Sequence, residues 1–226
     1  MDCISAERIQ EELAKLLAAP QPGAYLEPAV LAVVLPELTP AALEAAKPVL
    51  DACPAGEESL PVRWAALLGA LGEADTRRVL KRLRCSNACI EETAVLVRET
   101  AGEDVCRSFS EEKASAHPGD IHIRRLLGRY GLRTVERLCA LCAALHPQNA
   151  PDCALAAQRA RQLEANGACC RVSQLAVNGR DLMAAGIPAG PALRRVLEAL
   201  LDGVISAEYP NEKTALLAAA QKIIAS

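Results

Sequence analysis

The sequence predicts an all-α fold, with a multi-helix body followed by a smaller helical tail. Three observations support this prediction. Of the 226 residues, 51% are apolar, which is enough for a sizeable buried core. Most of that apolar content is Ala and Leu, the strongest apolar helix formers. Aromatic residues make up only 2%, which argues against a β-sandwich and against a surface that stacks single-stranded bases.

In the first half of the chain, apolar residues recur at helical spacing between loop signals. Ser5 is placed to cap the first helix, and the Pro- and Gly-containing stretch 19–23 ends it. The helices that follow are predicted at 24–34, 40–52, 60–71, 73–84, 87–100 and 102–114.

In the second half of the chain, the same loop signals separate the predicted helices, and no segment has the pattern of a β-strand. Helices are predicted near 120–130, 132–146 and 152–166, then a short one after Asn178-Gly179 with its cap near Asp181, one after Gly190-Pro191, and a last one that Tyr209-Pro210-Asn211 caps. We therefore expect a helical neck-end and body over 1–147 and a helical tail over 150–226, with no internal repeat.

The charge is unevenly distributed along the chain. The net charge is −3, so the chain as a whole is not a polycation. Residues 1–72 carry four Lys and Arg against ten Asp and Glu, residues 73–137 carry thirteen against eleven, and residues 138–226 carry eight against seven. An anion-binding surface is therefore expected after residue 72.

The sequence predicts a cytoplasmic location and no membrane partner. Met1-Asp2-Cys3 does not resemble the start of a signal peptide. The most apolar runs are broken by Pro or by charged residues well short of the ~18 residues that a membrane span needs.

The ten cysteines fit a reducing compartment better than a disulfide scaffold. Cys139 and Cys142 form a CxxC pair, but both fall on the apolar stripe of one predicted helix. We expect them to be small buried hydrophobic residues, and a zinc site or redox pair is the alternative. Cys85 and Cys89, like Cys169-Cys170, have no histidine near them in sequence. No metal site is predicted.

Two rows of basic residues are candidate contacts for a double-stranded RNA backbone, because guanidinium groups bind phosphate oxygens in a forked geometry. The alternative is a solvated face paired with nearby glutamates. The first row lies on helix 73–84 and the second on helix 120–130. Their members are Arg77, Arg78, Lys81, Arg82 and Arg84, then Arg124, Arg125 and Arg129, which Arg133 and Arg137 on the next helix extend.

A third candidate site lies at the start of a tail helix. Gly190-Pro191 places a proline at the first helical position, and free N–H groups there favour an anion. Arg194 and Arg195 lie one turn further and are placed to bind the same phosphate. The alternative is an ordinary capped helix. Asn178-Gly179 and Asp181 are interpreted as turn and cap residues.

In order and spacing, several segments resemble bacterial CCA-adding tRNA nucleotidyltransferases and their poly(A) polymerase relatives. The resemblance covers nearly the whole chain and is strongest in the tail. It rests on residues 5–17, Leu35-Pro36-Glu37-Leu38, Arg63-Trp64-Ala65-Ala66-Leu67-Leu68, residues 80–87 and 177–183, Gly186, Gly190-Pro191, Leu193, Gly203 and Pro210-Asn211-Glu212.

The resemblance implies a fold like the C-terminal region of poly(A) polymerases, with tRNA as the partner, held on the acceptor-stem and T-arm side. The family's catalytic head, with its paired aspartates, has no counterpart in this sequence. No catalytic residue and no activity are therefore expected from this chain alone, and magnesium with nucleotide belongs to the head. Under the alternative reading, the chain docks on a separate nucleotidyltransferase head, or on another protein, and does not bind RNA alone.

Many relatives carry His-Asp after the apolar Leu-Leu pair, where this chain has Gly69-Ala70. A two-metal hydrolase would lack those ligands here. The three histidines, His117, His122 and His146, are not spaced as a replacement, and we expect each to face solvent or lie at a helix end.

Overall fold

The structure, a computed structural model, describes residues 4–102, 105, 109 and 119–225. Within these ranges the chain is helical and has no β-strand, which confirms the predicted all-α class. The α-helices are α1 Ala6–Ala18, α2 Pro28–Val34, α3 Pro40–Ala52, α4 Leu60–Leu68, α5 Gly72–Arg82, α6 Asn87–Thr100, α7 Gly119–Tyr130, α8 Leu132–Leu145, α9 Ala150–Ala165, α10 Gly179–Ala184, α11 Pro191–Ile205 and α12 Lys213–Ala225.

The chain forms two compact units. The body unit comprises Met1–Ser110 and Glu136–Ala157, and the tail unit comprises Glu111–Val135 and Gln158–Ser226. Each unit is therefore built from two separate stretches of sequence. These units do not follow the boundary near residues 147–150 that we expected from sequence, because the stretch that holds α7 groups with the tail. The division into 1–147 and 150–226 stays a prediction.

Helix α4 forms the centre of the body unit, where it packs against α1, α3 and α6. Every residue from Pro61 to Leu68 is buried, and Trp64, the one tryptophan of the chain, is 1% exposed. A helix buried on all sides needs its polar side chains satisfied internally. Arg63 meets this need, since its guanidinium group donates to four backbone carbonyls.

The carbonyls that accept from Arg63 lie at the ends of α1 and α3. Its Nη1 donates to the oxygens of Leu17 and Ala19, both at 2.5 Å. Its Nη2 donates to Cys53 O at 2.9 Å, and its Nε donates to Pro54 O at 2.8 Å. The last carbonyls of a helix have no partner within the helix. Arg63 therefore joins the C-terminal ends of two helices to the buried central helix.

The tail unit has its own apolar core, built around Leu182, Leu200 and Leu216 of helices α10, α11 and α12. Gly203 allows a close contact at this core, because a Cβ atom there would lie 2.1 Å from the ring and hydroxyl of Tyr209. Tyr209 in turn donates from its hydroxyl to Ala199 O at 3.2 Å. The Tyr209 ring therefore occupies the space that a side chain at position 203 of α11 would fill.

Two helix caps from the sequence analysis have different outcomes. Ser5 caps α1 as predicted, accepting from Arg8 N at 3.3 Å. Asn211 does not cap the last helix, which corrects the prediction. Its Oδ1 accepts from Ala176 N at 2.8 Å and its Nδ2 donates to Gln174 O at 2.9 Å, so both polar atoms are used on a segment far away in sequence. The predicted helix 102–114 and His117 lie in part or wholly outside the described residues.

Candidate nucleic-acid interface

Most of the basic row on and after α5 is paired with carboxylates. Arg77 Nη1 donates to Glu91 Oε1 at 2.6 Å, and this bond raises the pKa of the guanidinium. Arg78 lies 3.0 Å from Asp75 Oδ1, and Arg84 lies 3.1 Å from Glu7 Oε1. Exposed pairs of this kind are weak, so they leave phosphate binding open but reduce the local positive potential.

Arg82 has a structural role at the same row. Its Nε and Nη2 donate to the two carboxylate oxygens of Glu37 at 3.2 and 2.9 Å, and Nη2 also donates to Val34 O at 3.1 Å. These bonds tie α5 to the end of α2. Within the described part of the chain, Lys81 is the member of this row without a carboxylate at ion-pair distance, and it is exposed.

Arg124, from the second row, lies against backbone rather than solvent. Its Nη1 donates to the oxygens of Val204 and Ile205 at 3.2 Å, and its Nη2 donates to Cys169 O at 2.8 Å. It therefore satisfies the last carbonyls of α11. Two of its side-chain nitrogens are already used, which leaves little of the group for an RNA phosphate.

The other two members of the second row are exposed. Arg125 Nη2 lies 3.4 Å from Asp202 Oδ1, at the long end of an ion pair. The Arg129 guanidinium carbon lies 5.8 Å from the centre of the Tyr130 ring, within the range of a cation–π contact. Both arginines remain accessible to an anion in solvent.

The third candidate site, at the start of α11, is the most open. Gly190 is the N-cap, with φ at 114° and no side-chain cap, and Pro191 follows it as predicted. Arg195 is exposed and, in the described part of the chain, has no carboxylate at ion-pair distance. Arg194 is 83% exposed and lies 2.8 Å from Glu198 Oε1 on the next turn.

Arg180 is a basic residue beside this site that the sequence analysis missed. It lies in the first turn of α10 and is exposed, again without a carboxylate at ion-pair distance among the described residues. A Cβ on Gly179 would lie 3.3 Å from Leu193 Cδ2, so the start of α10 packs against the first turn of α11. This brings Arg180 to the same end of the tail unit as Arg195. The signals in the sequence were its place after the Asn178-Gly179 turn and within residues 177–183, one of the segments that carry the family resemblance.

The start of α10 is built by a capping box, as the turn and cap interpretation expects, although the cap residue is Asn178. Asn178 Oδ1 accepts from Arg180 N and Asp181 N at 2.8 and 3.2 Å. Asp181 accepts from Asn178 N at 3.0 Å and lies 2.5 Å from Lys213 Nζ. The hydrogen bond from Lys213, with that from Asn178 N, holds the pKa of Asp181 below its ordinary value.

The two compact units carry opposite net charge. The body unit has 12 Lys and Arg against 19 Asp and Glu, a net charge of −7. The tail unit has 13 against 9, a net charge of +4. The positive excess therefore lies in the unit that also contains Arg180 and Arg195.

Neither a metal centre nor a membrane span was found in the described ranges. No group of three or more His, Cys, Asp and Glu side chains there is arranged to hold a metal ion. Cys139 and Cys142 are buried at 2% and 0% exposure, as predicted from their apolar stripe. No described helix has the length and apolar character to cross a membrane.

Comparisons with known proteins match the fold and the sequence. Residues 127–220 match a family described as tRNA nucleotidyltransferase domain 2. The chain is 31% identical over 229 residues to the CCA-adding enzyme of Geobacillus kaustophilus, a match that covers 95% of this chain and 50% of that enzyme. A shorter match, 53% identical over 45 residues, covers 20% of this chain and 11% of the CCA-adding enzyme of Levilactobacillus brevis.

A solved structure is similar to the chain as well. The crystal structure of the Bacillus stearothermophilus CCA-adding enzyme in complex with CTP superposes with a TM-score of 0.70 at 26% identity, covering 98% of this chain and 53% of that one. The chain thus spans about half the length of the Geobacillus and Bacillus enzymes. By sequence and by fold, the chain is therefore similar to one part, the helical body and tail, of CCA-adding enzymes, and residues 127–220 match a tRNA nucleotidyltransferase domain.

Proposed function

We propose that this chain binds tRNA through its tail unit, holding the RNA backbone by charge and shape on the acceptor-stem and T-arm side. The proposal assigns no catalytic step to the chain. In a complete nucleotidyltransferase, this part would orient the 3′ end of the tRNA toward the catalytic head. Because tRNA is a cytoplasmic molecule, the proposal also places the chain in the cytoplasm.

One observation carries the proposal: the tail unit has a net charge of +4 and keeps exposed, unpaired arginines at one end. Phosphate contacts dominate nucleic-acid affinity, and they need cations that are not already neutralised. Arg180 and Arg195 meet this condition better than the paired arginines of the α5 row. The uncapped start of α11 adds the positive end of a helix dipole at the same place.

The relatives support the partner class. The matched family is described as a tRNA nucleotidyltransferase domain, and its match, residues 127–220, includes α10, α11 and α12 up to Ala220. The low aromatic content agrees with recognition of a duplex by its backbone rather than by base stacking.

The test is fluorescence anisotropy of the whole chain with a tRNA that lacks its 3′ CCA, beside an RNA hairpin without an elbow, at low and moderate salt. We expect tighter binding of the tRNA than of the hairpin. The double change Arg180→Ala with Arg195→Ala should weaken tRNA binding at least about tenfold, which equals 1.4 kcal/mol. It should also reduce the slope of log affinity against log salt by roughly 2.

The matched control removes two exposed cations from the other candidate face, as Arg78→Ala with Lys81→Ala on α5. We expect this pair to leave tRNA affinity within about twofold of the wild type, because Arg78 is already paired with Asp75 and both residues lie in the body unit, whose net charge is −7. Loss of binding in the α5 pair, with wild-type binding in the tail pair, would move the site to α5. No binding by the wild type at low salt would rule out the proposal.

A second candidate function is docking on a separate nucleotidyltransferase head. The observation that favours it is the exposed apolar face at α2 in the body unit, where Val33 is 81% exposed, Tyr25 68% and Val30 60%. This function predicts that Val33→Glu abolishes co-elution with a head domain from a related enzyme while leaving tRNA binding unchanged. Retained co-elution would count against it.

A further inference from the structure

The tail unit contains two Asn-Gly sequences, Asn166-Gly167 and Asn178-Gly179. An asparagine before glycine can react with its own backbone, because glycine has no side chain to hinder the approach of its nitrogen to the asparagine amide. The reaction needs an asparagine side chain that is free to turn and open space around the glycine. The two dipeptides are identical, so the fold around each one decides which of them can react.

The surroundings of Asn166 meet both needs. Asn166 lies directly after the end of α9, it is exposed, and its side-chain amide has no hydrogen-bond partner in the described part of the chain. Gly167 is in the left-handed region, at φ 64°, and a Cβ atom there would meet nothing within 4 Å outside its chain neighbours. Its nitrogen donates to Glu164 O at 3.1 Å, a bond at the helix end, where local opening costs least.

Asn178 is held in place by the capping box of α10. Its Oδ1 accepts from two backbone N–H groups of that helix at 2.8 and 3.2 Å, and its own N donates to Asp181 Oδ2 at 3.0 Å. The other oxygen of Asp181 lies 2.5 Å from Lys213 Nζ, which joins the box to α12. Gly179 is packed, since a Cβ atom there would lie 3.3 Å from Leu193 Cδ2. Asn178 cannot turn toward Gly179 N without breaking the bonds of its amide oxygen.

We propose that Asn166 is a site of spontaneous deamidation in the folded chain, and that the capping box protects Asn178 from the same reaction. Gly167 N attacks Asn166 Cγ, the bond from Cγ to the side-chain nitrogen breaks, and that nitrogen leaves as ammonia with the proton from Gly167 N. One water then opens the succinimide ring at either of its two carbonyls, which gives aspartate or isoaspartate. The inference does not depend on RNA binding.

The reaction changes both the charge and the backbone of the tail unit. Either product has a carboxylate where the asparagine had a neutral amide, so one negative charge is added to a unit whose net charge is +4. In isoaspartate the main chain runs through Cβ, which adds one atom to its length. Three residues later, Cys169 O accepts from Arg124 Nη2 at 2.8 Å, so the added atom lies close in sequence to a contact that joins α7 to this segment.

The test is peptide mapping of the wild-type chain after incubation at physiological temperature and slightly alkaline pH. Trypsin puts the two sites on separate peptides, 162–171 and 172–180, and each peptide has a single asparagine. We expect peptide 162–171 to gain an acid in place of an amide at least about tenfold faster than peptide 172–180, because the capping box must open first. Fragment ions locate the change at the asparagine rather than at a glutamine. The aspartate and isoaspartate forms should elute as two new peaks.

The control is the same chain unfolded in urea, where the two peptides should deamidate at rates within about threefold of each other, since neither site keeps its native hydrogen bonds. Equal rates in the folded chain, or a faster rate at Asn178, would overturn the proposal. A rate difference that persists unchanged in urea would also overturn it, because the difference would then come from the local sequence.

The variant Asp181→Asn tests the protection directly, because it removes the carboxylate that binds Asn178 N and Lys213. We expect peptide 172–180 to deamidate at least about threefold faster than in the wild type, as the cap is weakened. Peptide 162–171 should deamidate at the wild-type rate. No acceleration at Asn178 in this variant would overturn the role that the proposal gives to the capping box.

Discussion

Arg63 is a charged residue in the middle of an apolar core, at 1% exposure. Its four hydrogen bonds all go to carbonyls, so the guanidinium replaces water for the C-terminal ends of α1 and α3. Desolvation by burial lowers the pKa of the guanidinium below its ordinary value. An arginine side chain nevertheless stays charged near neutral pH. The residue stabilises the unit by satisfying groups that would otherwise be buried without a partner.

Arg63→Met keeps the apolar part of the side chain but leaves four carbonyls without their donor. We expect the free energy of unfolding of the body unit to fall by at least about 3 kcal/mol, since each buried carbonyl left without a partner costs about 1–3 kcal/mol. The measurement is urea unfolding followed by the fluorescence of Trp64, which lies next to Arg63 in α4. Arg78→Met, which removes one exposed ion pair, is the control and should change stability by about 0.5 kcal/mol or less. Equal effects of the two variants would contradict this account.

The sequence could not predict which individual arginines of the candidate site are available to bind an anion. In sequence, Arg82 and Arg124 look like Lys81 and Arg125, as basic residues on amphipathic helices. Their partners are Glu37, 45 residues away, and Val204, 80 residues away. Only the tertiary fold brings such groups together. The sequence therefore predicts which helices are basic, but not which cations remain available to an anion.

For the starts of whole helices, the local sequence predicts the structure better than it predicts the partners of single arginines. Ser5 caps its helix as predicted, through a bond to a residue three positions ahead. Ser86 and Asn178 also cap their helices through bonds to residues two or three positions ahead, although the sequence placed the cap of α10 near Asp181. Asn211 fails the same pattern because its amide reaches the 172–176 segment instead. A cap is predictable from sequence when its side chain bonds to a residue within four positions. It is not predictable when another part of the fold takes up that side chain.

Asp181 gives the start of α10 a pH-dependent stability. Its folded pKa lies below the ordinary value of 3.8, so the unfolded chain takes up a proton at a higher pH than the folded chain does. The stabilisation is fully present above pH 3.8 and is lost as the pH falls through the folded pKa. Asp181→Asn should therefore lower the urea midpoint at pH 7, and this difference should shrink below pH 3.8.

The control for Asp181 is Glu164→Gln, which changes an exposed carboxylate of the same unit that has no cation at ion-pair distance among the described residues. Its urea midpoint should follow the wild type at both ends of the pH range. A deficit of Asp181→Asn that stays constant down to pH 2 would show that the side chain acts through its shape alone.

For the whole molecule, charge is a property of the folded units rather than of contiguous sequence. Counting along the chain placed the first excess of cations in 73–137, which includes α5. In the structure, α5 lies in the unit with net charge −7, and α7 joins the tail unit with net charge +4. Each unit combines two distant stretches, so no cut of the sequence at one point could separate them.

The described cysteines provide a test of this fold over the whole chain. Seven of the eight are buried, and Cys89 alone is partly exposed. Among the described cysteines, brief alkylation of the native chain should modify Cys89 first, and the buried thiols should react only as quickly as their surroundings open. Peptide mapping after pulses of N-ethylmaleimide gives the rate for each site, with urea-unfolded chain as the control. Fast labelling of Cys139 or Cys169 in the native chain would contradict the packing described here.

The close contact between Gly203 and Tyr209 determines which of the two residues can be substituted first. A side chain at position 203 would occupy the space of the Tyr209 ring, so a larger residue there is tolerated only after position 209 has become small. A small residue at 209 leaves a cavity, which a larger residue at 203 can then fill. Mutational paths that enlarge Gly203 first should therefore pass through a poorly folded chain, whereas paths that first shrink Tyr209 remain open.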